Sequence, residues 1–87
     1  MTVMPSGSEP VPGAFARAVS AQVRSAIALQ QVSHTQLAAK IGRSQSYISK
    51  RLRGDASFTA NDIEDICEKL GVDLLELLRA AVLASRR

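Results

Sequence analysis

The sequence predicts an all-α fold of five helices, and three observations predict it. From Ala14 onward apolar residues fall about four apart, which places them on one face of a helix. Three separate positions carry a short polar residue followed three places on by Gln, Asp or Glu, the signature of a helix entrance. Single glycines, Gly42 and Gly71, stand where one such helix stops and the next begins. With 87 residues, 46% of them apolar and 3% aromatic, the chain has room for one small core of Leu, Ile, Val and Ala and for no second, catalytic domain.

Met1 to Pro12 hold all three prolines and little to bury, so residues 1–12 are expected to be a flexible, disordered leader ahead of a domain over 13–87. Phe15, Val19, Val23 and Ile27, with Ala18 and Ala26 beside them, predict a first amphipathic helix reaching to about Gln31, with Arg17 and Arg24 on its outer face. Ser33 with Gln36 forms a capping box flanked by Val32 and Leu37, and opens a second helix that runs to about Ile41. The same device recurs at Thr59 with Asp62, flanked by Phe58 and Ile63, and at Asp73 with Glu76, flanked by Val72 and Leu77.

The third helix starts differently. Gly42 can take the left-handed conformation that stops a helix within one residue, and Ser44 can cap a new helix from Gln45. This entrance carries Arg43 where the others carry an apolar residue, so its end is built to face outward. Its inner side is Ile48 and Leu52, set against Leu37, Ala38 and Ile41 of the helix before. The fourth helix, Ala60 to Leu70, turns Ile63, Ile66, Cys67 and Leu70 inward. The fifth, over 74–85, is apolar around most of its circumference, which is more than one buried stripe needs. A second copy of the chain is the expected cover, with Leu74, Leu75, Leu78 and Val82 as the dimer interface.

Charge is divided along the chain. Residues 1–56 carry seven Lys and Arg against two acids, whereas residues 57–87 carry four against six; Lys40 to Arg53 hold five cations and no acid. Such a block fits either a solvated face or a nucleic-acid surface. The one cysteine, Cys67, excludes an internal disulfide and is read as core packing. No apolar run approaches the roughly 20 residues of a membrane span, and the N-terminus lacks the pattern of a signal peptide. A cytoplasmic, nucleoid-associated protein is expected.

The run S-H-T-Q-L-A-A-K-I-G-R-S-Q-S-Y-I-S-K-R-L-R-G over 33–54, together with the Phe58-Thr59 and Leu70-Gly71-Val72 steps, resembles the lambda-repressor and Cro family of helix-turn-helix DNA-binding proteins, also called the XRE family. The likeness covers roughly Val32 to Leu78, with the helix-turn-helix core at 33–53. It implies a lambda-repressor-like five-helix domain in which the helix after the glycine corner enters the major groove of a double-stranded DNA operator.

Carried over by position, the resemblance makes Gln45, Ser46, Ser49 and Lys50 the base readers. Gln45 is the strongest of them, because its amide can pair with N6 and N7 of adenine together. His34, Arg43, Ser44, Tyr47, Arg51 and Arg53 become phosphate contacts, which supply affinity without sequence information. Two positions depart from the family: His34 stands where glutamine is commoner, and Arg51 where many members are apolar.

The function implied is a sequence-specific transcriptional regulator, of phage or bacterial repressor type, acting as a homodimer. Two alternatives stand beside it: an antitoxin-like protein-interaction factor with autoregulatory DNA binding, and an accessory protein of recombination or excision. Enzymatic activity is not expected. One histidine, one buried cysteine and carboxylates used as caps offer no nucleophile with its base and no metal set, so no cofactor, metal or small-molecule substrate is implied.

Overall fold

The computed structural model describes residues 10–86, in which five helices are the only regular elements: α1 (Ala14–Leu29), α2 (His34–Ile41), α3 (Gln45–Leu52), α4 (Ala60–Leu70) and α5 (Leu74–Ser85). Most of the expected leader lies outside the described residues. Its last member departs from expectation, because Pro12 is buried and its carbonyl accepts a hydrogen bond from Arg17 Nη1 at 2.7 Å.

The helix entrances follow the sequence closely. Ser33 and Thr59 each form a complete capping box, with Gln36 and Asp62 returning a bond to the cap's own N–H. At α5 one half is present, in which Asp73 Oδ1 accepts from the N–H of Glu76 at 3.0 Å. Behind each cap an apolar pair pins the entering chain: Leu37, Ile63 and Leu77 are buried, while Val32, Phe58 and Val72 are half-buried against the core.

The exits of α1, α2 and α4 use positive φ, and the residues that supply it differ. Gly42 and Gly71 sit at +69° and +66°, and each lets the following N–H reach back across the last turn, Arg43 to Ala38 and Val72 to Cys67, both at 2.9 Å. At the end of α1 the same task falls to Gln31, at φ +56°. Left-handed backbone costs a residue with a Cβ about 1–2 kcal/mol. That exit therefore carries no glycine to announce it, and α1 ends at Leu29, two residues earlier than its periodicity indicates.

Val19, Val23 and Ile27 of α1, Leu37 and Ala38 of α2, Ile48 and Leu52 of α3, Ile63, Ile66, Cys67 and Leu70 of α4, and Leu77 and Ala81 of α5 form one continuous core. Phe15 does not join it. Lying 45% exposed, it lines an apolar groove of about 370 Å³ with Phe58, Leu74 and Leu78. The stripe of α1 extends one turn beyond the residues available to cover it. Helix α5 packs mainly on α1, and Leu74, Leu75 and Leu83 are left 39%, 63% and 57% exposed. Among the described residues no helix is long and apolar enough to cross a membrane.

Candidate nucleic-acid interface

Helix α3 is eight residues long and meets the core through Ile48 and Leu52, both fully buried. Ser44 caps it by accepting from the N–H of Tyr47 at 3.1 Å, and Ser44 and Ser46 hydroxyls lie 3.3 Å apart. Because Gly42 closes α2 within one residue, Gly42, Arg43 and Ser44 are the whole span between the two helices, and the first turn of α3 projects from the domain. Gln45, Ser46 and Lys50 are exposed there, and Ser49 is half-buried. In a helix, positions 45 and 49, and likewise 46 and 50, stand one turn apart on adjoining lines, so the four form one polar face.

The cationic and aromatic residues divide into two groups. His34, Arg43, Ser44 and Arg53 are exposed around that face. His34 Nδ1 lies 3.3 Å from Ser49 Oγ, joining the start of α2 to the middle of α3; the imidazole thus braces α3 one turn beyond Gln45. Arg53 pairs with Asp55 at 3.0 Å, with both side chains well exposed.

Arg51 and Tyr47 turn inward instead, against the phosphate-contact expectation. Arg51 is only 7% exposed; its guanidinium lies 3.4 Å from the centre of the Tyr47 ring, and Nη1 donates to the Tyr47 carbonyl at 3.2 Å. The departure of Arg51 from the family pattern is explained by the same geometry: the position remains buried, and a stacked guanidinium fills it. Arg43 also approaches this ring, at 4.6 Å.

The Tyr47 hydroxyl donates to Asp62 Oδ2 at 2.5 Å, and Arg43 Nε donates to Asp62 Oδ1 at 3.2 Å. Burial raises the proton affinity of Asp62, but the bonds from Tyr47 and Thr59 and the charge of Arg43 outweigh it, holding the carboxyl below the usual aspartate value. The Tyr47 phenol is pushed up, first by burial and then by the Asp62 bond and charge, against the opposing pull of Arg51 and Arg43.

Two residues matter here that the sequence did not single out for this role. Asp62 is legible as the capping partner of Thr59, and nothing in that spacing marks its second use on Tyr47 and Arg43. Arg24, placed on the outer face of α1, donates through Nη1 to the carbonyl of Leu52, at the C-terminal end of α3, where a cation also complements the helix dipole. The two residues stand 28 positions apart, beyond the reach of any local pattern. Among the described residues no cluster of His, Cys, Asp and Glu is arranged to hold a metal ion, and Cys67 is buried, its thiol pushed up by burial and then by the charge of Asp73.

Two short helices joined at a left-handed glycine, with the second presenting a polar and cationic first turn, define a helix-turn-helix. The helix-turn-helix family matches residues 23–77, well over half of the chain, and the protein belongs to that family in its XRE form, a class of DNA-binding transcriptional regulators. It is similar to the clp gene regulator ClgR from Corynebacterium glutamicum in two crystal structures. In one, 26% of residues are identical, 88% of this chain and 81% of that chain are covered, and the TM-score is 0.78. In the other the identity is 27%, the coverage 85% and 92%, and the TM-score 0.73. No curated protein sequence matches the chain.

Proposed function

We propose that this protein is a sequence-specific regulator of repressor or Cro type that occupies an operator by inserting α3 into the major groove. Gln45, Ser46, Ser49 and Lys50 read base edges, and His34, Arg43, Ser44 and Arg53 hold the flanking phosphates. The observation that carries this reading is the exposed first turn of α3: Gln45 and Ser46 stand in solvent beyond the Gly42 corner, ringed by cations, with the inner side of the helix locked into the core. Tyr47 and Arg51 leave the phosphate set because their polar ends are engaged within the protein.

The second element of the proposal is a homodimer. Leu74, Leu75 and Leu83 expose a leucine face on α5, and Leu78 and Val82 are half-buried beside it; a two-fold copy hides such a face with the same residues from both sides. A dimer of this kind reads two half-sites whose centres are roughly 34–36 Å apart, one turn of duplex. The exposed leucines are also the one observation favouring an antitoxin-like partner, whose separate polypeptide then replaces the second copy.

Selection of bound duplexes from a random pool, followed by sizing of the complex, tests both elements. The expected result is a palindromic site with two chains per duplex, bound with a log-log salt slope that steepens by about 0.9 for each phosphate neutralised. Equal affinity for every duplex overturns base reading, and a single chain per site overturns the dimer.

A further inference from the structure

The two buried apolar residues of α3 cannot by themselves fix how it faces DNA; its third buried residue, Arg51, stacks on Tyr47. Ile48 and Leu52 are four apart and therefore lie nearly on one line along the helix. A single line of contact keeps the helix from lifting away, but leaves it able to roll about that line. Resistance to rolling comes from the flanks. Residues 47 and 49 stand about 100° to either side of Ile48, and each is tied by its side chain to another helix, Tyr47 to Asp62 of α4 and Ser49 to His34 of α2.

The two ties differ in strength. Ser49 and His34 meet at 3.3 Å, and His34 is exposed to water. Tyr47 donates over 2.5 Å to a carboxylate that is 1% exposed and is itself fixed by the Thr59 N–H at 3.2 Å and by Arg43 at 3.2 Å. Charge-assisted bonds of this kind are shorter and about twice as strong as neutral ones. Asp62 therefore grips the corner through Arg43 and the first turn of α3 through Tyr47 from one rigid point at the mouth of α4.

We infer that Asp62 is a positioning residue for base recognition: through Tyr47 and Arg43 it sets the roll of α3, and with it the direction in which Gln45 and Ser46 leave the protein. The inference rests on the base-reading role proposed above. Its geometric consequence is large. For a side-chain end at roughly 5 Å from the helix axis, a roll of about 20° moves the end by about 2 Å, several times the spread of acceptable hydrogen-bond distances. Phosphate contacts made by long, flexible cations tolerate that shift; a bidentate amide does not.

Tyr47→Phe is the direct test, since it keeps the ring on which both guanidinium groups stack and removes only the hydroxyl. Wild type and variant are each titrated, as full-length protein, with a duplex selected from a random pool and with random duplex at one salt concentration. The expected result is a fall of about tenfold in the affinity ratio between selected and random duplex, with affinity for random duplex within about twofold of wild type. Asp62→Asn, which offers one carbonyl oxygen for three donors, lowers the same ratio. Adding it to Tyr47→Phe removes the same bond, so the two losses are less than additive. Thermal melts accompany both variants, and Tyr47→Phe carries the test where Asp62→Asn does not fold.

A Tyr47→Phe ratio equal to a wild-type ratio well above one overturns this inference and leaves base reading standing. An equal loss of affinity on both duplexes also overturns it, because Tyr47 then acts as a phosphate contact. A wild-type ratio near one overturns the base-reading function and this inference with it.

Discussion

Helices α3 and α5 both leave a face in water, with opposite chemistry. The face of α3 is amide, hydroxyl and ammonium, groups that water satisfies fully; the face of α5 is Leu74, Leu75 and Leu83, which water does not. Their anchoring is also opposite. Helix α3 is secured by two buried apolar residues and a set of directional bonds, from Asp62 and His34 near its start and middle and from Arg24 at its last carbonyl. Helix α5 lies along α1 with Leu77 and Ala81 buried. Directional bonds fix orientation, which a reading surface needs, and apolar area supplies association, which it does not direct. On the proposed function, recognition falls to one end of the domain and assembly to the other.

The comparison breaks most readily at Ile48. Ile48→Ala deletes half of the inner contact of α3 and is expected to lower stability by about 2–5 kcal/mol, measured by chemical denaturation. A cost no larger than that of an exposed leucine means that α3 is not held as described. Gly42→Ala is next. No atom lies within 4 Å of where the new Cβ stands, so the expected loss of about 1–2 kcal/mol comes from the backbone at φ +69° alone. Leu75→Ser sharpens the other side of the comparison: folding stability of the monomer changes by no more than about 0.5 kcal/mol, while self-association, followed by sedimentation, is lost.

The smallest expected effect is in acid. Asp62 has a folded-state pKa below its unfolded one, so its contribution is fully present above the unfolded value of about 3.9 and disappears as pH falls through the folded value. Acid titration of wild type against Asp62→Asn is expected to show a stability gap that closes below that range; a gap that widens there contradicts the assignment of a carboxylate.

Much of this was legible in the chain because helix boundaries are local chemistry. Ser33, Thr59 and Asp73 each act on an N–H three residues away, and Gly42 and Gly71 act on their own backbone, so short windows contain both partners. Resemblance then marked α3 as the helix expected to read DNA. Illegible were the contacts that cross the fold: Asp62 to Tyr47 spans 15 residues and Arg24 to Leu52 spans 28. Arg51 misled for a related reason. Its charge indicates solvent, whereas the guanidinium is buried, stacked on the ring of Tyr47 one turn earlier. Phe15 continues the spacing of a buried stripe, yet α4 and α5 leave a groove there. The exit of α1 at Gln31 had no glycine to mark it.

The central claim is that the amide of Gln45 reads a base from the exposed start of α3. Binding of Gln45→Ala to the selected duplex, to its single-base variants and to random duplex at constant salt tests it most directly. The account predicts a loss of about 1–3 kcal/mol of discrimination confined to one base position, with affinity for random duplex and the salt slope unchanged. Discrimination equal to wild type at every position contradicts it.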